Sequence, residues 1–325
     1  MKNNFAPRSP LNTPVLFLIF NRPDTTQKVF DAIKKAKPKQ LFMAADGPRE
    51  GKEGEKEKCE QARKVIEQID WDCKVKTLFR DKNLGCKVAV SSAIDWFFEN
   101  VKEGIILEDD CLPDQSFFQF CKIMLEKYRN DTRIMMISGT NYLFNKVTIS
   151  ESYFFSKIYA IWGWATWRRS WMKYDIDMNN WPEFRNNKQL TWIFNDKEII
   201  EYYTNMFQAT YSKRINTWDI QWVYSCIFNN GLALAPRKNL ISNIGNTGTH
   251  TDSKISIFIN MPTGTININN IKHPVFVIPN ILCDKVALYN ILTEGNKLKY
   301  YIIKFIKRIK IYNYIKIVYR KLKSI

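Results

Sequence analysis

Three consecutive carboxylates, Glu108-Asp109-Asp110, are the densest concentration of reactive groups in this sequence. Adjacent carboxylates repel one another unless something positive joins them. Their hard oxygen donors suit Mg²⁺ or Mn²⁺, with a substrate phosphate completing the coordination. A solvated acidic turn would have the same composition. The residues in front favour a site. Gly104-Ile105-Ile106-Leu107 is an apolar run too short for a helix, and with Pro113 closing the segment it predicts a central strand of a covered sheet. Ligands of open α/β sheets bind beyond the carboxyl ends of such strands, which is where the triplet falls.

Two further stretches carry candidate groups. Thr217-Trp218-Asp219-Ile220-Gln221-Trp222 opens a helix running to Phe228, with Asn229-Asn230-Gly231 as its stop. Asp219 in the first turn either complements the helix dipole, a contribution of about 0.3–1 kcal/mol, or serves as a general base. His250, one of two histidines, lies in the polar loop Asn243–His250, where it is either solvated or a late metal or phosphate ligand. Ala160–Trp167 includes Trp162, Gly163 and Trp164. It reads equally as core or as a wall on which sugar rings stack.

The elements that must position these groups follow an alternating pattern. Val15–Phe20 is an apolar strand ending at Asn21-Arg22-Pro23, and Val29, Phe30, Ile33 and Ala36 then recur at helical spacing. Leu41–Ala45 ends at Asp46-Gly47-Pro48 and is followed by a helix bearing Ala62, Val65, Ile66 and Ile69. Val75–Phe79 leads through Asp81–Gly85 to a helical stripe at Val90, Ile94, Phe97, Phe98 and Val101. Three strand–helix units before the acidic strand predict an α/β fold with a mostly parallel sheet covered on both faces. A helix near Phe117–Tyr128 and a strand at Ile134–Ser138 complete this half. The expected organisation is residues 1–145 for donor binding, 146–260 for the acceptor within the same domain, and 261–325 as an extension.

The 325 residues are 45% hydrophobic and 14% aromatic, which excludes global disorder. Of the net charge of +17, residues 296–325 contribute ten cations and no acid, leaving +7 on the rest. Charge segregated in this way argues against a nucleic-acid groove. Apolar positions at local helical spacing in 302–325 instead predict a basic amphipathic tail that contacts an anionic membrane surface. The seven cysteines show no C-x-x-C pair and read as reduced thiols. With no membrane-length apolar run and no signal-like leader, a cytoplasmic protein peripheral to the membrane is expected.

Taken in order, Asn21-Arg22-Pro23, Asp46-Gly47, Asn83-Leu84-Gly85, Glu108-Asp109-Asp110, Trp162-Gly163-Trp164 and Trp218-Asp219 give the chain a resemblance to GT-A-fold glycosyltransferases over roughly residues 13–252. It looks most like the bacterial nucleotide-diphospho-sugar transferases described as hemolytic-protein-like, and more remotely like the N-acetylglucosaminyltransferase that starts complex N-glycans. The resemblance implies a nucleotide-diphosphate sugar donor, with a UDP-sugar favoured, and a glycan or lipid-linked acceptor. It would place Asn21, Arg22, Asp46, Asn83, Glu108 and Asp109 at the nucleotide. Asp110 and His250 would hold Mn²⁺ or Mg²⁺, Asp219 would act on the acceptor hydroxyl, and Trp162, Gly163, Trp164 and Trp218 would bind the acceptor. One departure is that no second aspartate follows Asp219. A nucleotidyltransferase acting on sugar phosphates would use similar parts, but it calls for a glycine-rich phosphate loop after the first strand, where Asn21-Arg22-Pro23 has no glycine.

Overall fold

The first strand, β1 (Val15–Ile19), is buried along its whole length because both its faces are covered. Leu16 and Leu18 pack into one core, and Val15, Phe17 and Ile19 into the other. The structure is a computed structural model, and it describes residues 10–245 and 256–293. α1 (Pro23–Ala36) begins on a proline, whose missing N–H would be unpaired there in any case. It buries Val29, Phe30, Ile33 and Ala36 and returns the chain to β2 (Gln40–Ala45), parallel to β1. α2 (Glu55–Arg63) and a 3₁₀ turn (Lys64–Gln68) lead to β3 (Lys74–Phe79), a half-exposed edge strand that carries Lys74 and Lys76. Lysines on an edge deter pairing with another chain. α3 (Gly85–Asn100) then takes the chain to β4 (Glu103–Glu108), parallel to β1 on its free side. The order β3-β2-β1-β4 therefore reverses direction between β1 and β4, and that reversal opens a crevice at their carboxyl ends.

β5 (Cys111–Pro113) follows, then α4 (Gln115–Lys127), capped by the Asp114 side chain accepting from the Ser116 N–H at 2.9 Å. β6 (Ile134–Ser138), β7 (Tyr153–Ser156) and β8 (Trp164–Trp167) come next, with β8 running antiparallel between β4 and β6. Short helices α5 (Arg168–Trp171), α6 (Trp181–Asn186) and α7 (Leu190–Ile193) precede α8 (Lys197–Tyr211) and α9 (Asp219–Phe228). β9 (Leu232–Pro236) pairs with β6 and β7, β10 (Ile241–Asn243) pairs with β5, and α10 (Ile281–Thr293) ends the described chain. The eight-stranded sheet runs β3-β2-β1-β4-β8-β6-β9-β7, with only β7 and β8 antiparallel to the rest. This is the expected α/β fold with a mixed, mostly parallel sheet flanked by helices.

No break in the sheet falls at 145/146, since β8 from the second segment is inserted between two strands of the first. Residues 261–293, part of the expected extension, pack against the sheet. Pro279 bridges Phe155 of β7, and Cys283, Ala287 and Leu288 of α10 are buried. His250 and residues 296–325 lie outside the described residues.

The tryptophan-rich segment forms core. Trp164 and Trp218 are 1% and 2% exposed and stack at 5.8 Å with 20° between their planes, while Trp171 and Trp222 pack around them. An open wall built from Trp164 and Trp218 is therefore corrected: neither has surface to offer a ligand, because β8 and the start of α9 turn these rings inward. Gly163, which precedes Trp164, has φ +59°, and a Cβ there would clash with the Ile241 side chain. Gly163→Ala is expected to destabilise the protein by about 1–3 kcal/mol, read from denaturant melts.

Candidate active site at the ends of the central strands

Arg22 sits at the N-cap of α1, where the chain leaves β1. Its Nη1 donates to Asp109 Oδ1 at 3.1 Å and to Asp110 Oδ2 at 2.8 Å. The Phe20 N–H donates to the other Asp109 oxygen at 3.1 Å. Residues leaving β1 and β4 thus meet across the crevice, as the strand order requires. Burial alone would lower the pKa of the guanidinium, yet Asp109 and Asp110 raise it above the ordinary arginine value. Burial pushes the Asp109 carboxyl up to about 7 despite Arg22 beside it. Glu108 is driven well above the usual carboxylate range by burial, then by Asp110, Asp109 and Asp219. Arg22 offsets part of this crowding, and the carboxyls that remain too close to ionise together hold protons more tightly.

Gly245 belongs to this cluster, although its position in a polar loop gave no such signal. A Cβ on it would lie 2.6 Å from Asp110 Oδ2, and the neighbouring Ile244 N–H donates to the Asp110 carbonyl at 2.8 Å. Only glycine lets the backbone close over the carboxylate in this way. Cys86, in the first turn of α3, has its thiol pushed up to about 12 by burial and then by Glu108, Asp219 and Asp46, so it lies among these acids. The seven cysteines are all unbridged, as expected.

Other expected nucleotide contacts serve as ties between loops in this structure. Both Asp46 oxygens accept backbone N–H groups, from Gly47, Leu84 and Gly85, at 2.9–3.1 Å, so Asp46 caps the start of α3. Asn83 Nδ2 donates to the Gly47 carbonyl at 2.8 Å. Asn21 Nδ2 donates to Glu55 Oε1 at 2.8 Å, and Glu55 also accepts the Arg49 guanidinium at 2.5 Å. Sequence reasoning passed over Glu55 and Arg49 because the charged 49–58 stretch reads as solvated surface. The Arg49 hydrogen bond holds the Glu55 carboxyl down at about 2, against the effect of burial and with help from Asn21. A carboxylate lowered in this way stabilises the fold fully above the ordinary glutamate range, and the contribution is lost as the pH falls toward 2. Because Arg49 is 42% exposed, solvent screening keeps the interaction near about 1 kcal/mol. Glu55→Gln is expected to cost that much at neutral pH and almost nothing near pH 2, measured by urea unfolding at both.

Asp219 is the first residue of α9 and accepts a hydrogen bond from Thr217 Oγ1. It lines a cavity of about 250 Å³ whose wall includes Tyr142, Trp162, Tyr202 and Phe258. Trp162 meets Tyr142 edge-on at 6.0 Å. Of the four residues expected at an acceptor wall, Trp162 is the one that lines this space. Asp219 therefore lines an aromatic, largely apolar cavity while its charge is near enough to help raise the Glu108 pKa.

Among the described residues no three His, Cys, Asp or Glu side chains converge as a cage for a metal ion. The donor chemistry nevertheless fits Mg²⁺ or Mn²⁺ held by few protein oxygens together with substrate phosphates and water, the usual manner of Mg²⁺. Asp110 would supply the protein oxygen, and Arg22 at present neutralises it.

No family model matches the sequence, and no curated protein matches it. Solved structures give weak likenesses. S. aureus TarS 1–349 is 6% identical, with 48% of this chain covering 47% of that one at a TM-score of 0.33. The 4-diphosphocytidyl-2C-methyl-D-erythritol synthase of Anaerococcus prevotii is 6% identical, with coverage of 69% and 88% and a TM-score of 0.33. Apo UDP-glucose pyrophosphorylase is 9% identical, with coverage of 71% and 93% and a TM-score of 0.35. The chain spans about half the length of the TarS fragment. Scores this low carry no argument about chemistry, which rests on the site itself.

Proposed function

We propose that the protein is a metal-dependent glycosyltransferase that moves a sugar from a nucleotide-diphosphate sugar, with UDP favoured, to a hydroxyl of a glycan or lipid-linked acceptor in bacterial surface polysaccharide synthesis. The observation that carries this reading is that Asp219, whose charge reaches Glu108 at the acidic strand end, lines an aromatic cavity. A nucleotidyltransferase also binds a second substrate, but that substrate is a sugar phosphate and calls for cationic side chains; among the described residues the cavity is lined by no Lys or Arg and carries Asp219, which suits an uncharged hydroxyl.

In this reading the crevice between β1 and β4 takes the diphosphate, and Arg22 swings from Asp109 and Asp110 toward it. Asp110 would hold the cation, which when bound would supply positive charge to the departing diphosphate. Asp219 accepts the proton of the acceptor hydroxyl as that oxygen bonds to the anomeric carbon. The bond from that carbon to the diphosphate oxygen breaks, and its electron pair leaves with the nucleoside diphosphate. A single displacement of this kind inverts the anomeric configuration. The aromatic faces of Trp162 and Tyr142 suit a pyranose ring.

Thermal melting with a panel of nucleotide sugars tests the reading. A UDP-sugar is expected to raise the melting temperature in the presence of Mn²⁺ or Mg²⁺ and to lose that effect in chelator. If no nucleotide sugar stabilises the protein under either condition, the reading fails.

A further inference from the structure

Five large apolar side chains crowd one short segment of the surface. Val275, Phe276, Ile278, Ile281 and Leu282 are 86%, 70%, 64%, 64% and 61% exposed, within a stretch that spans at most about 25 Å even when fully extended. Among the described residues the other exposed large hydrophobic side chains are scattered from Leu84 to Phe228. Single exposed apolar residues need no explanation, but a cluster marks an interaction site.

The backbone that presents them is pinned. Residues 272–280 are tied at one end to Ser152, where the Ser152 N–H donates to the Lys272 carbonyl at 2.8 Å. At the other end the Asn280 N–H donates to the Phe155 carbonyl at 2.8 Å. Ser152 and Phe155 are three residues apart, whereas Lys272 and Asn280 are eight apart, so the stretch between the ties must bow outward. His273 Nδ1 against the Tyr153 hydroxyl at 2.8 Å and the packing of Val277 on the core fix it further. The first turn of α10, which carries Ile281 and Leu282, is anchored by buried Asp284 accepting from Ser156 Oγ and the Lys157 N–H. A pinned bow costs little further entropy when it docks.

Charge identifies the occupant. Between residues 271 and 293 the exposed ionic groups are Lys272 and Lys285, and the one acid, Asp284, is buried. Burial and then nearby Lys127 lower the His273 pKa, while Glu151 is an acid within reach of Lys272. α10 leads the chain toward residues 296–325, whose sequence holds ten cations and no acid. No helix among the described residues is long and apolar enough to cross a membrane. We propose that residues 272–285 form a contact surface for an anionic lipid bilayer, with the five apolar side chains entering the acyl boundary and Lys272 and Lys285 at the headgroups.

The test is co-sedimentation of the full chain with phosphatidylcholine vesicles, with and without phosphatidylglycerol. The wild-type protein is compared with Val275→Ser/Phe276→Ser, which keeps residues 296–325. The wild type is expected to bind the phosphatidylglycerol vesicles in a salt-sensitive manner, and the double variant to bind about tenfold or more weakly with an unchanged melting temperature. Equal binding by the two proteins would overturn the proposal. So would a variant that melts lower or changes its oligomeric state without vesicles while binding them as before, because its own terminal segment or a second copy would then be what covers the patch.

Discussion

Asp110→Ala is expected to lower sugar transfer by at least about 10²–10³-fold, the cost of losing one preorganised electrostatic group, while the protein melts at or above the wild-type temperature. The two halves of this result have one cause. Asp110 raises the proton affinity of Glu108, so in the ligand-free protein it is a source of repulsion. Arg22 keeps Asp109 as a partner at 3.1 Å when Asp110 is gone. The main-chain bond from the Ile244 N–H to the residue 110 carbonyl does not depend on the side chain. Metal-dependent stabilisation by a nucleotide sugar should vanish with activity. If Asp110 merely ended a strand, the variant would melt lower and turn over normally.

Asp219→Asn is expected to lower transfer by about 10²–10⁴-fold, with donor and metal affinity retained, since only proton removal in the transition state is lost. Asparagine keeps the volume and can still accept from Thr217 Oγ1, so stability should change by less than about 1 kcal/mol. A residue that served only the α9 dipole would give the opposite pattern, a small loss of melting temperature with near-normal kcat. Measuring kcat and melting on one preparation separates the two. Product NMR adds a second check, because retention of the donor's anomeric configuration would contradict a single displacement assisted by Asp219.

The doubly covered strands were legible in the sequence because burial on two faces requires unbroken apolar runs. β1 and β4 are such runs, and the three strand–helix alternations before Glu108 fixed the direction of the sheet. The crevice followed from that order. The insertion of β8 was not legible. Trp164–Trp167 is buried on both sides, and nothing local specifies an antiparallel partner. The same blindness made Trp164 and Trp218 look like a binding wall, since composition does not say which way a ring faces. Asp46 and Asn83 were singled out by position at strand ends, where a loop tie and a ligand contact have the same residue preferences. Gly245 and Glu55 act through contacts distant in sequence, on Asp110 and Asn21, and no local pattern reports those; the Arg49–Glu55 pair is local but sits in a charged stretch that reads as solvated surface.

Phosphorus NMR of the reaction products tests the central claim most directly. The protein would be given a UDP-sugar with Mg²⁺ and a glycan acceptor, and in a parallel sample the UDP-sugar with Mg²⁺ and pyrophosphate. The account predicts that UDP accumulates in step with glycosylated acceptor in the first sample, that nothing is consumed in the second, and that Asp110→Ala abolishes the UDP signal. Appearance of UTP and sugar 1-phosphate in the pyrophosphate sample, with no UDP in the other, would contradict it and show a nucleotidyl group, not a sugar, to be what this site transfers.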